Sequence, residues 1–89
     1  MDKAKLEKIV DKVRESKFFK NYGYGTTLIY DCYHPECNCI EIDLKCDTLR
    51  GINRSLDKLV REIGVELVSK HYLCKYDGSC PDAAKIYFK

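Results

Sequence analysis

Six cysteines in a chain of 89 residues constrain this protein more than any other feature of its sequence. A domain of this size buries only about 60–65% of the surface that its unfolded chain exposes, so it often needs disulfides or a metal ion for stability. Disulfides belong to oxidising compartments, whereas a metal ion suits a reducing cytosol. Residues 1–8 contain no apolar stretch of the kind found in a secretory signal. We therefore expect a cytoplasmic protein that is stabilised by a metal ion.

The amino-acid composition leaves disulfides open as the alternative. The chain has no Gln and no Trp, one Met, and many Lys, Glu, Ile and Tyr residues. This profile is typical of hyperthermophiles and indicates a thermophilic source. Intracellular proteins of such organisms are an exception, because disulfides do persist in them.

Charge and hydropathy exclude several classes of protein. Hydrophobic residues make up 45% of the chain and charged residues 34%, with a net charge of only +2. The longest apolar runs have three or four residues, far fewer than the roughly 20 that a membrane-spanning helix needs. We expect a single domain over residues 1–89, with no membrane role and no strongly basic nucleic-acid surface.

Hydrophobic periodicity predicts an α+β domain with a four-stranded antiparallel sheet and two helices. The first helix carries an apolar stripe and ends at the glycine-containing stretch 21–25, and the second runs from Asp47 or Thr48 to Gly64. Alternating or β-branched segments predict strands over 26–32, 40–46, 65–73 and 84–88. The predicted order is helix, strand, strand, helix, strand, strand.

The first two strands are predicted to form a hairpin whose register follows from burial. One register places all of its apolar side chains on one face: it pairs Leu28 with Leu44, Tyr30 with Ile42 and Cys32 with Ile40. In this register the Cys46 side chain faces inward, towards the core. The Cys39 side chain faces outward, on the side of the sheet that the alternation predicts to be exposed to solvent.

One group of cysteines and histidines has the composition of a zinc site. Structural zinc binds four Cys or His ligands in a tetrahedron, usually as two close pairs from separate segments. Cys46 lies at the end of the second predicted strand, and three further ligands lie around the end of the third. We therefore predict one structural zinc, bound by Cys46, His71, Cys74 and Cys80.

A second group lies in and beside the hairpin loop, where four soft ligands occur within eight residues: Cys32, His34, Cys37 and Cys39. The group is compatible with a second metal ion. A disulfide at the hairpin end, or free thiols, explains it equally simply.

The other candidate sites are weaker. Basic residues on one side of the second helix are compatible with phosphate contacts, but the low net charge favours a solvated helix face; they are Arg50, Arg54, Lys58 and Arg61. Cys32 and His34 are close in sequence, yet nucleophilic catalysis also needs a third group and an oxyanion site. The sequence therefore does not support an enzyme, and nucleic-acid binding is disfavoured.

Residues 40–89 resemble the C-terminal half of the 4-vinyl-reductase domain family. The resemblance rests on the run from Cys46 to Ile52, on Gly64 to Leu67, on His71 with Cys74, on Asp77 to Cys80 and on Ile86 to Phe88. It implies that the family's metal ligands correspond to Cys46, Cys74 and Cys80. His71 occupies the position of a family glutamate, and both residue types bind zinc.

The resemblance also implies a zinc-containing sensor domain that binds an apolar small molecule, often as a homodimer. The inferred buried faces would line its pocket, with these residues as walls: Leu28, Tyr30, Ile42, Leu44, Ile52, Leu56 and Leu67. The alternative is a zinc- or disulfide-stapled module that binds nucleic acid or protein.

Overall fold

The computed structural model describes residues 3–29, 37–45, 48–74 and 81–89, with the backbone alone at 24 and 26–29. Its elements are α1 (Lys3–Glu15), α2 (Lys17–Tyr22), β1 (Gly23–Ile29), β2 (Asn38–Leu44), α3 (Leu49–Ile63), β3 (Leu67–Leu73) and β4 (Ala83–Phe88). The predicted fold with two helices is therefore wrong. The described part of the chain has three helices, and its order is helix, helix, strand, strand, helix, strand, strand.

The additional helix arises at Ser16, where the predicted first helix is interrupted. Ser16 is extended, with φ −72° and ψ 158°, and its hydroxyl accepts a hydrogen bond of 3.2 Å from the Phe19 amide. The same hydroxyl donates to the Val13 carbonyl at the end of α1. One serine side chain thus ends one helix and caps the next. Serine hydroxyls often compete in this way with the backbone hydrogen bonds of a helix.

The sheet has the strand order β1-β2-β4-β3, and all neighbouring strands are antiparallel. The predicted hairpin register is wrong by four residues, because Leu28 pairs with Ile40 rather than with Leu44. The cause lies at Gly23, where β1 begins directly after α2. A Cβ at Gly23 would lie 2.6 Å from the Phe19 ring, so glycine permits the close passage from helix to strand.

The hydrophobic core lies between the helices and one face of the sheet. The sheet contributes alternate residues of β2 and β4, and the helices contribute stripes at helical spacing. Its buried members are Leu6, Ile9, Val10, Val13, Phe18, Ile40, Ile42, Leu44, Ile52, Leu56, Leu59, Ile63, Ala84, Ile86 and Phe88.

We call the opposite face of the sheet the outer face. The alternation predicted that this face is exposed to solvent, but residues along its centre are buried. Cys39 is 2% exposed, and its cross-strand partner Tyr87 is 4% exposed. Ala83 on the same face is also buried. The expectation that Cys39 faces solvent is therefore wrong, whereas Cys46 lies outside the described residues.

Helix α3 is bounded by two caps. The Thr48 hydroxyl accepts a hydrogen bond of 3.3 Å from the Gly51 amide, and Gly64 ends the helix in the left-handed conformation. Within the described ranges, no helix is both long enough and apolar enough to cross a membrane.

Candidate functional site

Three chain segments meet at the end of the sheet where β2 and β3 finish and β4 begins. The Leu44 amide donates a hydrogen bond of 2.9 Å to the Asp82 carbonyl. The Asp82 amide in turn donates one of 2.7 Å to the Leu73 carbonyl. The residue before β4 is therefore held between the ends of β2 and β3.

Two of the four predicted zinc ligands lie in the described part of this region. Cys74 directly follows Leu73 and is exposed. His71 is exposed on the outer face, and its ring contacts the Tyr87 ring edge-on at a centroid distance of 5.6 Å. The described residues contain no group of three or more His, Cys, Asp or Glu that could hold a metal ion.

The other two predicted ligands, Cys46 and Cys80, lie outside the described residues. In the sequence, Cys46 comes two positions after Leu44, and Cys80 comes two positions before Asp82. Both thus neighbour the segments that the Leu44 and Asp82 hydrogen bonds join.

The second predicted cluster belongs to the opposite end of the sheet. Cys37 precedes β2 and is half-buried, and Cys39 is the second residue of β2. Since β2 rises by about 3.4 Å per residue, roughly 20 Å separate these cysteines from the end where β2 finishes. Cys32 and His34 lie outside the described residues.

Most of the residues predicted to line an apolar pocket belong to the core. Four of them are buried members of its central cluster: Ile42, Leu44, Ile52 and Leu56. Leu67 is partly buried and packs against that cluster. The Leu28 side chain and Tyr30 are not among the described parts.

A groove of about 170 Å³ lies between α2 and α3. Its lining residues are Lys17, Phe18, Asn21, Ser55, Lys58, Leu59 and Glu62. Sequence reasoning missed this groove because its walls come from helices far apart in the chain. Of its lining residues, Lys58 alone was considered as part of a candidate site, namely the basic side of the second helix.

We call this groove the α2–α3 groove. Several of the polar side chains that line it make no ion pair or hydrogen bond in the described part of the chain. Lys17 and Lys58 come from opposite walls, and neither ammonium forms an ion pair in the described part of the chain. Within the described ranges, the side chains of Asn21 and Ser55 also make no hydrogen bond. Glu62 is the acidic residue among the lining residues.

The basic residues of α3 do not form a single site. Arg50, Arg54, Lys58 and Arg61 are all exposed. Arg61 Nε donates to the Asp57 carbonyl at 3.4 Å, whereas the Asp57 carboxylate contacts the Lys70 ammonium of β3.

Comparisons of the chain with family models, curated proteins and solved structures find no match. The resemblance to the 4-vinyl-reductase family therefore stays a prediction. Any function assigned to the chain has to be argued from its own residues.

Proposed function

We propose that this chain is a small, zinc-stabilised cytoplasmic domain that binds a small organic molecule as a sensor. The observation that carries the proposal is the α2–α3 groove, which Phe18 and Leu59 line together with polar side chains that have no described partner. Apolar walls with a few convergent polar groups are the usual composition of a ligand site.

The meeting of three segments at one sheet end supports the zinc part of the proposal. Hydrogen bonds link Leu44, Asp82 and Leu73, and each of these residues lies within two positions of a predicted cysteine ligand. Three cysteines and one histidine are a usual donor set for structural zinc. The exposed side chains of Cys74 and His71 are accessible to such an ion. Zinc bound by Cys46, His71, Cys74 and Cys80 would cross-link the strand ends and stabilise the fold.

The groove is a better-supported ligand site than the predicted pocket. A ligand among Ile42, Leu44, Ile52 and Leu56 would have to displace close-packed core side chains. In the α2–α3 groove it would cover existing surface and displace only water. The homodimer implied by the family resemblance is not required for this site.

A protein-interaction module is the second candidate, and the edge strand β3 favours it. Val68 is 43% exposed and Leu73 is 37% exposed on a strand whose outer edge has no neighbour in the described sheet. An extended peptide can pair with such an edge and place its side chains against exposed apolar residues.

Amide NMR spectra recorded with a library of small organic compounds test the two candidates. Ligand binding predicts shifts centred on the amides of Phe18 and Leu59 for a subset of compounds. If no compound shifts these amides, and a binding partner instead perturbs the amides of β3, the interaction module replaces the sensor.

A further inference from the structure

We infer that the edge strand β3 binds an extended acidic peptide, which adds to the sheet as a further strand. This inference rests on the second candidate function, the interaction module, and names the class of its partner. It does not depend on the α2–α3 groove. Three features support it, which are the outer edge of β3, its exposed apolar side chains and the arginines of the neighbouring helix.

The outer edge of β3 provides backbone hydrogen bonds. In the described sheet, β3 pairs with β4 on one side and has no strand on the other. A strand in this position presents a row of amides and carbonyls that can pair with another extended chain. Val68 and Leu73 are exposed apolar side chains of the same strand. The main-chain hydrogen bonds of such a complex give affinity, and contacts with alternate side chains give specificity.

Two side-chain contacts define which side of α3 lies next to β3. The Tyr72 hydroxyl donates a hydrogen bond of 2.7 Å to Asn53 Oδ1. The Lys70 ammonium contacts the Asp57 carboxylate. The side of α3 that carries Asn53 and Asp57 therefore faces β3.

The arginines of α3 belong to this side of the helix. Arg50, Arg54, Asp57 and Arg61 follow one another at intervals of four, three and four residues, the spacing of neighbours on a helix surface. Arg61 Nε donates to the Asp57 carbonyl at 3.4 Å. All three arginines are exposed, and none forms an ion pair with a carboxylate in the described part of the chain. Three positive charges thus lie beside the edge strand.

These surroundings define the partner. Successive side chains of an added strand point to opposite faces of the sheet, so one set lies on the helix side and the other on the outer face. Acidic side chains suit the helix side because of the arginines, and apolar side chains suit the outer face because of Leu73. A second copy of the chain fits less well. Pairing of two β3 strands about a twofold axis would bring the arginines of both α3 helices together.

Amide NMR titration of the full chain with a capped peptide of alternating Glu and Val residues tests the inference. We expect the largest shifts at the amides from Ser69 to Leu73. One control peptide alternates Lys and Val, which reverses the charge. Another has the same Glu and Val residues in two separate blocks, which removes the alternation. Each control should bind roughly tenfold more weakly or not at all.

N-methylation of the peptide separates strand addition from attraction between charges. Successive N–H groups of a strand point to opposite edges, so the Glu amides and the Val amides of the added peptide lie on different edges. Methylation of the set that faces β3 should abolish binding, and methylation of the other set should preserve it. Attraction between charges alone predicts equal binding of the two methylated peptides.

Variants of α3 test the role of the arginines. Arg50→Gln, Arg54→Gln and Arg61→Gln should each weaken binding of the Glu–Val peptide roughly two- to fivefold, as loss of an exposed ion pair does. Lys58→Gln is the matched control, because Lys58 is exposed on the same helix but lines the α2–α3 groove, and it should leave binding unchanged. All four substitutions are at exposed positions, and melting temperatures check that each variant is folded.

The possible failures are distinguishable. Equal binding of the Lys–Val peptide at β3 would overturn the acidic class and leave the interaction module intact. Equal binding of the two methylated peptides, or dimers of the chain with protected β3 amides, would overturn peptide addition to this edge. If no peptide shifts a β3 amide, the inference is wrong. Shifts of the Phe18 and Leu59 amides by the compound library would then still support the sensor.

Discussion

The Tyr72 hydroxyl donates a hydrogen bond of 2.7 Å to Asn53 Oδ1, and this bond ties the edge strand β3 to helix α3. The Lys70 ammonium contacts the Asp57 carboxylate beside it. Lys70 and Tyr72 are two residues apart on a strand, and Asn53 and Asp57 are four apart on a helix, so each pair shares one face. Polar contacts thus join β3 to the helix layer at the margin of the core.

We expect Tyr72→Phe to lower the free energy of unfolding by about 1 kcal/mol, because it removes this hydrogen bond and leaves Asn53 without its partner. Urea denaturation measures the change. Tyr22→Phe is the matched control, since the Tyr22 hydroxyl makes no hydrogen bond in the described structure. Equal effects of the two substitutions would show that the bond contributes nothing.

The same tyrosine makes stability depend on pH in the alkaline range. Burial, and secondly the negative charge of Asp57, raise the pKa of Tyr72 from 10.0 to about 12. The folded state therefore holds the proton more tightly than the unfolded state. The resulting stabilisation is complete below pH 10 and is lost as the pH rises from 10 to 12. Urea denaturation across this range should show a smaller loss for Tyr72→Phe than for the wild type.

Gly64 provides a test of the end of α3. Its φ of 71° lies in the left-handed region, and no side chain or strand packed nearby lies within 4 Å of where a Cβ would be. Gly64→Ala should therefore cost about 1 kcal/mol through backbone strain alone. Gly64→Asn should cost less, because asparagine tolerates this conformation. Thermal unfolding of both variants checks the order, and an equal cost would contradict the explanation.

Local signals explain which parts of the fold were predictable. The ends of α3 depend on Thr48 and Gly64, whose effects act within one helical turn. The sequence identified Gly64 as the stop and Thr48 as one of two possible caps, with Asp47 as the other. The break at Ser16 was missed because the apolar stripe appeared to continue past it. The hairpin register was missed because β1 starts at Gly23, and the contact with Phe19 that requires glycine there is a packing contact.

The candidate sites depend more on tertiary structure. The spacing of the cysteines led to the hypothesis of the zinc ligands. The segments that carry these ligands are connected by the pairing of β3 with β4 and of β4 with β2, which is tertiary structure. The α2–α3 groove has no local signal, because Lys17 and Lys58 are brought together only when α2 packs beside α3.

The exposed arginines of α3 give a prediction about nucleic acid. Replacing Arg50, Arg54 and Arg61 with Gln should change stability by only a few tenths of a kcal/mol for each residue, because their contacts are exposed. Mobility-shift assays with duplex DNA at several salt concentrations should show no tight binding for the wild type or the variant. Tight, salt-sensitive binding that the triple substitution abolishes would contradict this prediction.

Native mass spectrometry of the purified, untreated protein tests the central claim of a zinc-stabilised domain most directly. We predict one zinc bound by Cys46, His71, Cys74 and Cys80, lost in Cys74→Ser and retained in Cys37→Ser. The melting temperature should fall in Cys74→Ser and in the chelated wild type, because the free energy of zinc binding contributes to folding. A metal-free protein whose six cysteines form three disulfides would contradict the account.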